Sequence, residues 1–285
     1  MAFQIRQLTP AQFPPFLKEI PDVPTRLFLR GELPPSDYKL LCVVGSRATT
    51  PYGRRICQSL ISGLSRYPVA IVSGMALGID TEAHTTALDV GLPTVAVLPS
   101  SCDDESLYPR SNKALAQRIL ARGGGLLSEN IAPFKAMTHS FAQRNRVMAG
   151  MSHATLIIEA GEKSGTLITA RLALDYNREV LGVPHELGRE TGAGVNRLIR
   201  EGATLVRGSE DILQALGLKE EAVQEVLPSD LTEPEIKILE VLTESLVKDE
   251  IIERAELGAQ EISIALSSLL LRGLIAERLG KIERV

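Results

Sequence analysis

Tryptophan is absent from the 285 residues, aromatics make up 4% and there are three cysteines. Few aromatic rings leave few platforms for stacking unpaired bases, so any nucleic-acid surface here works mainly through charge. Cys42, Cys57 and Cys102 form neither a metal spacing nor an even disulfide framework, which predicts reduced thiols in a cytoplasmic protein. No stretch of about 18 uninterrupted apolar residues occurs, so no transmembrane helix and no membrane partner are expected. The start, MAFQIRQLTPAQFPPF, lacks the basic-then-apolar order of a secretory signal. His84, His139, His153 and His185 are scattered without ligand spacing, so no metal is expected. G-x-x-x-x-G-K-[ST], a G-x-G-x-x-G after the first apolar run, and G-x-S-x-G are all missing. These absences count against a P-loop, a standard dinucleotide fold and a nucleophile elbow. No catalytic residue and no cofactor are expected.

What is present is ordinary globular composition, 44% hydrophobic and 23% charged. The net charge of −4 is unevenly spread. Residues 1–38 are neutral, residues 39–216 carry 19 basic against 16 acidic groups, and residues 217–285 carry 8 against 15. The middle attracts anions, whereas the tail repels nucleic acid.

Residues 1–38 hold seven prolines and read as an extended arm with room for one short helix. From Lys39, short β-branched runs recur: LLCVV (40–44), VAIVSG (69–74), TVAVLPS (94–100), GGLLSE (124–129), ATLIIEA (154–160), EVLGVP (179–184) and ATLVRG (203–208). Helical patterns lie between them, such as 52–67 and 166–177. Continuous apolar strands alternating with amphipathic helices predict an α/β fold, a Rossmann-like, doubly wound, mainly parallel sheet over residues 39–216. Residues 217–229 read as a charged linker. Residues 230–285 give three helical segments, the first opened by a Thr232–Glu235 capping box, and then a hairpin around Gly280. That order predicts a small C-terminal winged-helix domain.

In open α/β sheets, ligands bind beyond the carboxyl ends of the strands. The strand exits here read Gly45-Ser46-Arg47, then Ser73-Gly74-Met75-Ala76-Leu77-Gly78-Ile79-Asp80, then Pro99-Ser100-Ser101, and finally Gly161 to Thr166. Phe141-Ala142-Gln143-Arg144-Asn145-Arg146 precedes the fifth run. Glycine admits a ligand close to backbone N–H groups, helix N-termini add donors and partial positive charge, and arginine matches phosphate with a planar fork. Each feature has a plainer reading. The glycine loops serve equally as tight turns, the arginines as a solvated helix face, and Phe141 as a core residue. Asp80 can cap a helix start, and Glu159 is equally open.

In this order and approximate spacing, GSR (45–47), SGMALGID (73–80), LYPRSN (107–112), FAQRNRVMAG (141–150) and SGTLITAR (164–171) resemble the DNA-processing protein A (DprA/Smf) family. The likeness covers about residues 38–216; FPPFLKEIPDVPTRLFLRGELP also resembles the family's entry segment, and the tail its winged helix. The resemblance implies a sequence-independent single-stranded DNA binder that protects incoming strands and helps load the RecA recombinase in natural transformation. It also implies a homodimer formed through the Rossmann-like domain. By motif match, DNA phosphates fall to Ser46 and Arg47, to Arg144, Asn145 and Arg146, and to Ser164, Gly165 and Thr166. Lys163 joins on electrostatic grounds, and Gly45, Gly74, Phe141 and Gln143 complete the expected DNA-binding set. With twelve residues before Phe13, the helical SAM-like domain of many members has no room here, and its role is expected to be missing.

Two alternatives are weighed. Nucleotide phosphoribohydrolases of the same fold carry P-G-G-x-G-T-x-x-E, but the carboxylate position here is Thr169. Losing it argues against glycosidic hydrolysis. A winged-helix transcription regulator needs basic residues on its reading helix, yet 259–273 offers only Arg272 beside Glu261.

Overall fold

The computed structural model describes residues 4–219, 231–242, 246–255, 257–272, 274–278 and 280–284. The proline-rich start forms two strands, β1 (Ile5–Leu8) and β2 (Leu27–Gly31), joined through single 3-10 turns at Pro10–Gln12 and Pro15–Lys18. Every proline lies outside the strands, where a missing N–H breaks no ladder bond. The turns carry Phe13, Leu17 and Ile20 into the core. The segment read as an extended arm thus supplies two antiparallel strands at one edge of the sheet.

From Lys39, strands and helices alternate. They are β3 (Lys39–Val44), α1 (Pro51–Ser62), β4 (Val69–Ser73), α2 (Ile79–Asp89), β5 (Thr94–Val97), α3 (Lys113–Ala121), β6 (Gly125–Ser128) and α4 (Thr138–Met151). There follow β7 (Ala154–Ile157), α5 (Thr166–Asp175), β8 (Glu179–Gly182), α6 (Glu190–Arg200), β9 (Thr204–Leu205) and α7 (Ser209–Ala215). The strand order is β1-β2-β6-β5-β4-β3-β7-β8-β9, parallel from β6 through β9. This is the expected Rossmann-like, doubly wound α/β fold.

Along β3, Leu40, Cys42 and Val44 share a core with α4 residues Val147 and Met148. Leu41 and Val43 join Leu60 and Ile61 of α1 and Ile79 and Ala83 of α2 in another. Alternate side chains of one strand therefore feed the two faces, which is why the run is apolar without interruption. Each fully buried aliphatic side chain contributes about 1.5–3 kcal/mol. The parallel sheet starts in its middle at β3, grows outward to β6, then returns through α4 to β7 on the other side of β3. The loops after β3 and β7 diverge at this switch point and open a crevice at the carboxyl edge.

At the opposite edge, Leu40 N–H donates to Nδ1 of half-buried His153 (3.0 Å), whose ring meets Phe16 edge-on at 4.4 Å. Burial, then the charges of Lys39 and Arg178, hold its pKa down at about 4. The unfolded chain takes this proton first, near pH 6.5. Its contribution is therefore fully present above about pH 6.5 and is lost as pH falls toward 4, roughly 1–2 kcal/mol after allowance for solvent screening. Urea unfolding at pH 7.5 and 5 is expected to show a smaller decline for His153→Gln than for the parent. Identical declines would refute the assignment.

The second unit is built from α8 (Glu233–Val241), α9 (Lys248–Ala255), α10 (Ala259–Leu271) and the hairpin β10 (Ile275–Arg278) and β11 (Lys281–Arg284). Thr232 N–H donates to Glu235 Oε2 (2.7 Å), closing the capping box expected from sequence. Leu246 bridges Ile282 of the hairpin, and Ile238, Ile262, Leu269 and Ile275 lie in its separate core. The linker beyond Lys219 lies outside the described residues. Among the described residues no helix is long and apolar enough to cross a membrane, and no group of three His, Cys, Asp or Glu is placed to hold a metal.

Candidate functional site

A cavity of about 580 Å3 occupies the switch point. Its walls are the loop after β3 (Gly45, Ser46, Arg47, Ala48), one face of α4 (Phe141, Arg144, Asn145, Met148) and the start of α5 (Ser164, Gly165, Thr166, Thr169). Three sequence-distant motifs meet there because β3 and β7 are neighbours. The loops are stitched together. Thr166 Oγ1 donates to the Gly45 carbonyl (3.1 Å), and Ala48 N–H donates to Ser46 Oγ (3.2 Å). Ile79 N–H at the start of α2 donates to the Ser46 carbonyl (3.2 Å). Gly78 has φ +76°, and a β-carbon there would collide with the Ser46 and Arg47 carbonyl oxygens. Only glycine allows this approach.

Arg144 forms the buried back of the cavity, 6% exposed. Its Nη1 donates to the Val97 carbonyl at the end of β5 (3.1 Å), while Nε has no hydrogen-bond partner among the described residues. Buried Asp80 accepts from Gly74 N–H (3.1 Å) and Ala76 N–H (3.2 Å). Burial pushes the Asp80 carboxyl above its ordinary value, and Arg144 is the chief influence opposing that. Burial likewise depresses the guanidinium, with Asp80 opposing. The two charges compensate each other inside the protein. Gly74 is not in the cavity wall; its place is set by Arg144, whose guanidinium occupies the space a β-carbon would need.

Exposed Arg47 stands at the mouth, with its guanidinium carbon 5.2 Å from the centroid of the Phe141 ring. With Arg144 and Asp80 as the other charged lining residues, the cavity is net positive. A concave, positive site edged by small residues, hydroxyls and a helix N-terminus suits a phosphate.

Four expected residues lie elsewhere. Arg146 is tied to the Glu129 carboxylate and the Asp22 carbonyl, away from the cavity. Gln143 lines a separate small crevice beside Glu129 and Asn130. Lys163 borders a neighbouring cavity of about 750 Å3 with Arg189, Arg197 and Arg200. Gly74 is the fourth. Helical geometry explains the first two: Phe141, Arg144, Asn145 and Met148 follow i, i+3, i+4 and i+7 spacing, whereas Arg146 lies two positions from Arg144, and Gln143 two positions from Phe141 and from Asn145, about 200° round the helix. That periodicity was legible in the sequence.

Other contributors carried no such signal. Asn112 of the LYPRSN segment is buried, and its amide donates to the Met75 carbonyl and Thr81 Oγ1, both at 2.8 Å, fixing the loop after β4. Glu159 is buried and accepts from Thr49 Oγ1 (2.7 Å), Thr50 N–H (3.0 Å) and Thr50 Oγ1, which shapes the turn into α1. Thr138 and Ile168 also line the cavity.

Fold and cavity define a doubly wound α/β protein with an anion-receptive cradle at the switch point. A profile of the DNA recombination-mediator protein A family matches residues 4–217, and the chain belongs to that family. It is 39% identical over 204 residues to protein Smf of Escherichia coli, covering 72% of this chain and 54% of that one. It is 37% identical over 201 residues to DNA processing protein DprA of Streptococcus pneumoniae, 70% of each. The match spans little over half of the Escherichia coli protein and 58% of Smf from Synechocystis. The solved Streptococcus pneumoniae DprA superposes with a TM-score of 0.69 at 34% identity, covering 74% of each chain. DNA processing protein A of Helicobacter pylori, solved for its single-stranded DNA binding mode, superposes with a TM-score of 0.66 at 30% identity, covering 76% of this chain and 98% of that one.

Proposed function

We propose that the chain binds single-stranded DNA without sequence preference, holding its phosphates in the switch-point cavity, and acts as a non-catalytic mediator of recombination. The observation that carries this is the convergence of Gly45–Ala48, the Arg144–Asn145 face of α4 and Ser164–Thr166 around one net-positive cavity. The relative from Helicobacter pylori, known for single-stranded DNA binding, supports it. A flexible strand bends its phosphates into a concave site, and a stiff duplex does not. Protection of incoming strands in transformation, handover to the RecA recombinase and homodimerisation belong to the same reading, supported by family membership. Fluorescence anisotropy with labelled oligo-dT and a matching duplex tests it. Preferential, salt-sensitive binding of the single strand is expected, and equal binding of duplex refutes it.

In this reading the second unit is a winged-helix protein-contact or regulatory module. Residues 217–285 carry net −7, and α10 exposes Ile264 and Leu271 where a DNA-reading helix would carry cations. A chain ending at Lys219 is expected to keep oligo-dT affinity within a few-fold. A loss of about a hundredfold, roughly 2.7 kcal/mol, would contradict it.

A further inference from the structure

The LYPRSN segment is explained only at its Asn112 end. Tyr108, in the same segment, is 45% exposed, and its hydroxyl bonds to no described residue. Its position is nevertheless fixed. Leu107 before it is buried, and Asn112 after it is anchored to the loop following β4. The Tyr108 ring meets Phe141 at 5.5 Å with an interplanar angle of 82°. Arg47 lies 5.2 Å from that same Phe141 ring. Phe141 is therefore in contact with both and acts as their shared support. The more exposed ring of the two is Tyr108.

We infer that Tyr108 is a nucleobase-stacking platform at the rim of the cavity, so that a strand held by phosphate at Arg47 lays a base on the tyrosine ring. This rests on the single-strand reading above and deepens it. Arg47 and Tyr108 both contact one phenyl ring, so fork and platform stand about one side chain apart. That is the scale of the separation between a backbone phosphate and its base. Every base has a π face, so the contact adds affinity without sequence preference. In a chain with few aromatics, an exposed ring rigidly presented beside the cavity has a physical use.

The test compares two probes of equal length, oligo-dT and an abasic oligomer with the same phosphates and no bases. Tyr108→Ala is expected to weaken oligo-dT binding about tenfold and abasic binding by less than about twofold, the pattern of a lost stack. Tyr108→Phe, which keeps the ring, is expected to restore oligo-dT affinity. An equal loss on both probes would show that Tyr108 shapes the phosphate path instead, and would overturn the inference. No loss on either probe would overturn it as well. Failure of the unaltered protein to bind either probe would bring down the single-strand reading itself, and the inference with it.

Discussion

Replacing Arg144 by alanine is expected to lower the unfolding free energy by about 3–5 kcal/mol at pH 7, the range for leaving a buried charge without the opposite charge that compensates it. Arg144 is buried and reaches the Val97 carbonyl, so its loss leaves Asp80 as a buried carboxylate favoured by the Gly74 and Ala76 N–H groups and the more distant charge of Arg47. Burial already raises the Asp80 pKa and Arg144 opposes that rise, so removing Arg144 raises it further. Below that new value the carboxyl is neutral when folded, and the penalty for a buried charge disappears. The destabilisation is therefore larger at pH 7 than at pH 5. Adding Asp80→Asn is expected to recover part of the loss, so that the double variant is more stable than the two single losses would sum to. Gly74→Ala should behave alike, since its β-carbon takes the guanidinium's space. Urea unfolding of the four variants measures all of this. If Arg144→Ala unfolds like the parent and only binding suffers, the guanidinium serves the ligand and not the scaffold.

The sheet was legible because parallel strands buried on both faces are apolar at every position. Leu40 to Val44 has that character, and β3 feeds two cores with alternate side chains. The meeting of GSR and SGT was legible as well, since both lie at strand exits on one edge, whereas RN lies midway along α4 and is placed beside them by its helical spacing with Phe141 and Met148. Distinguishing Arg144 from Arg146 required the period of α4, and a motif match treats both alike. The arm's strands were hidden because its prolines disfavour regular structure, although each falls outside β1 and β2. Asn112 holding Met75, Arg144 reaching Val97 and Glu159 holding Thr49 link positions 37, 47 and 110 residues apart. No local pattern announces such pairs; the fold creates them.

Arg47→Ala is expected to weaken oligo-dT binding by about 1–3 kcal/mol, the range for a charge-assisted hydrogen bond. Arg47 is the exposed cation of the cavity, and its one ring contact among the described residues is with Phe141 at 5.2 Å. An exposed cation–π contact contributes roughly 0.5–1 kcal/mol, so the melting temperature should move little. If the fork neutralises one phosphate, the slope of log affinity against log salt should become less negative by about 0.7. Arg146→Ala is the matched comparison. It removes the same charge from α4 but breaks the ties to Glu129 and Asp22, so it should cost stability and leave affinity and salt slope nearly unchanged. The decisive readout is the salt slope, because a general loss of fold lowers affinity without selecting one phosphate. A well-folded Arg47→Ala protein that binds oligo-dT with the parent's affinity and slope would place the strand somewhere other than this cavity.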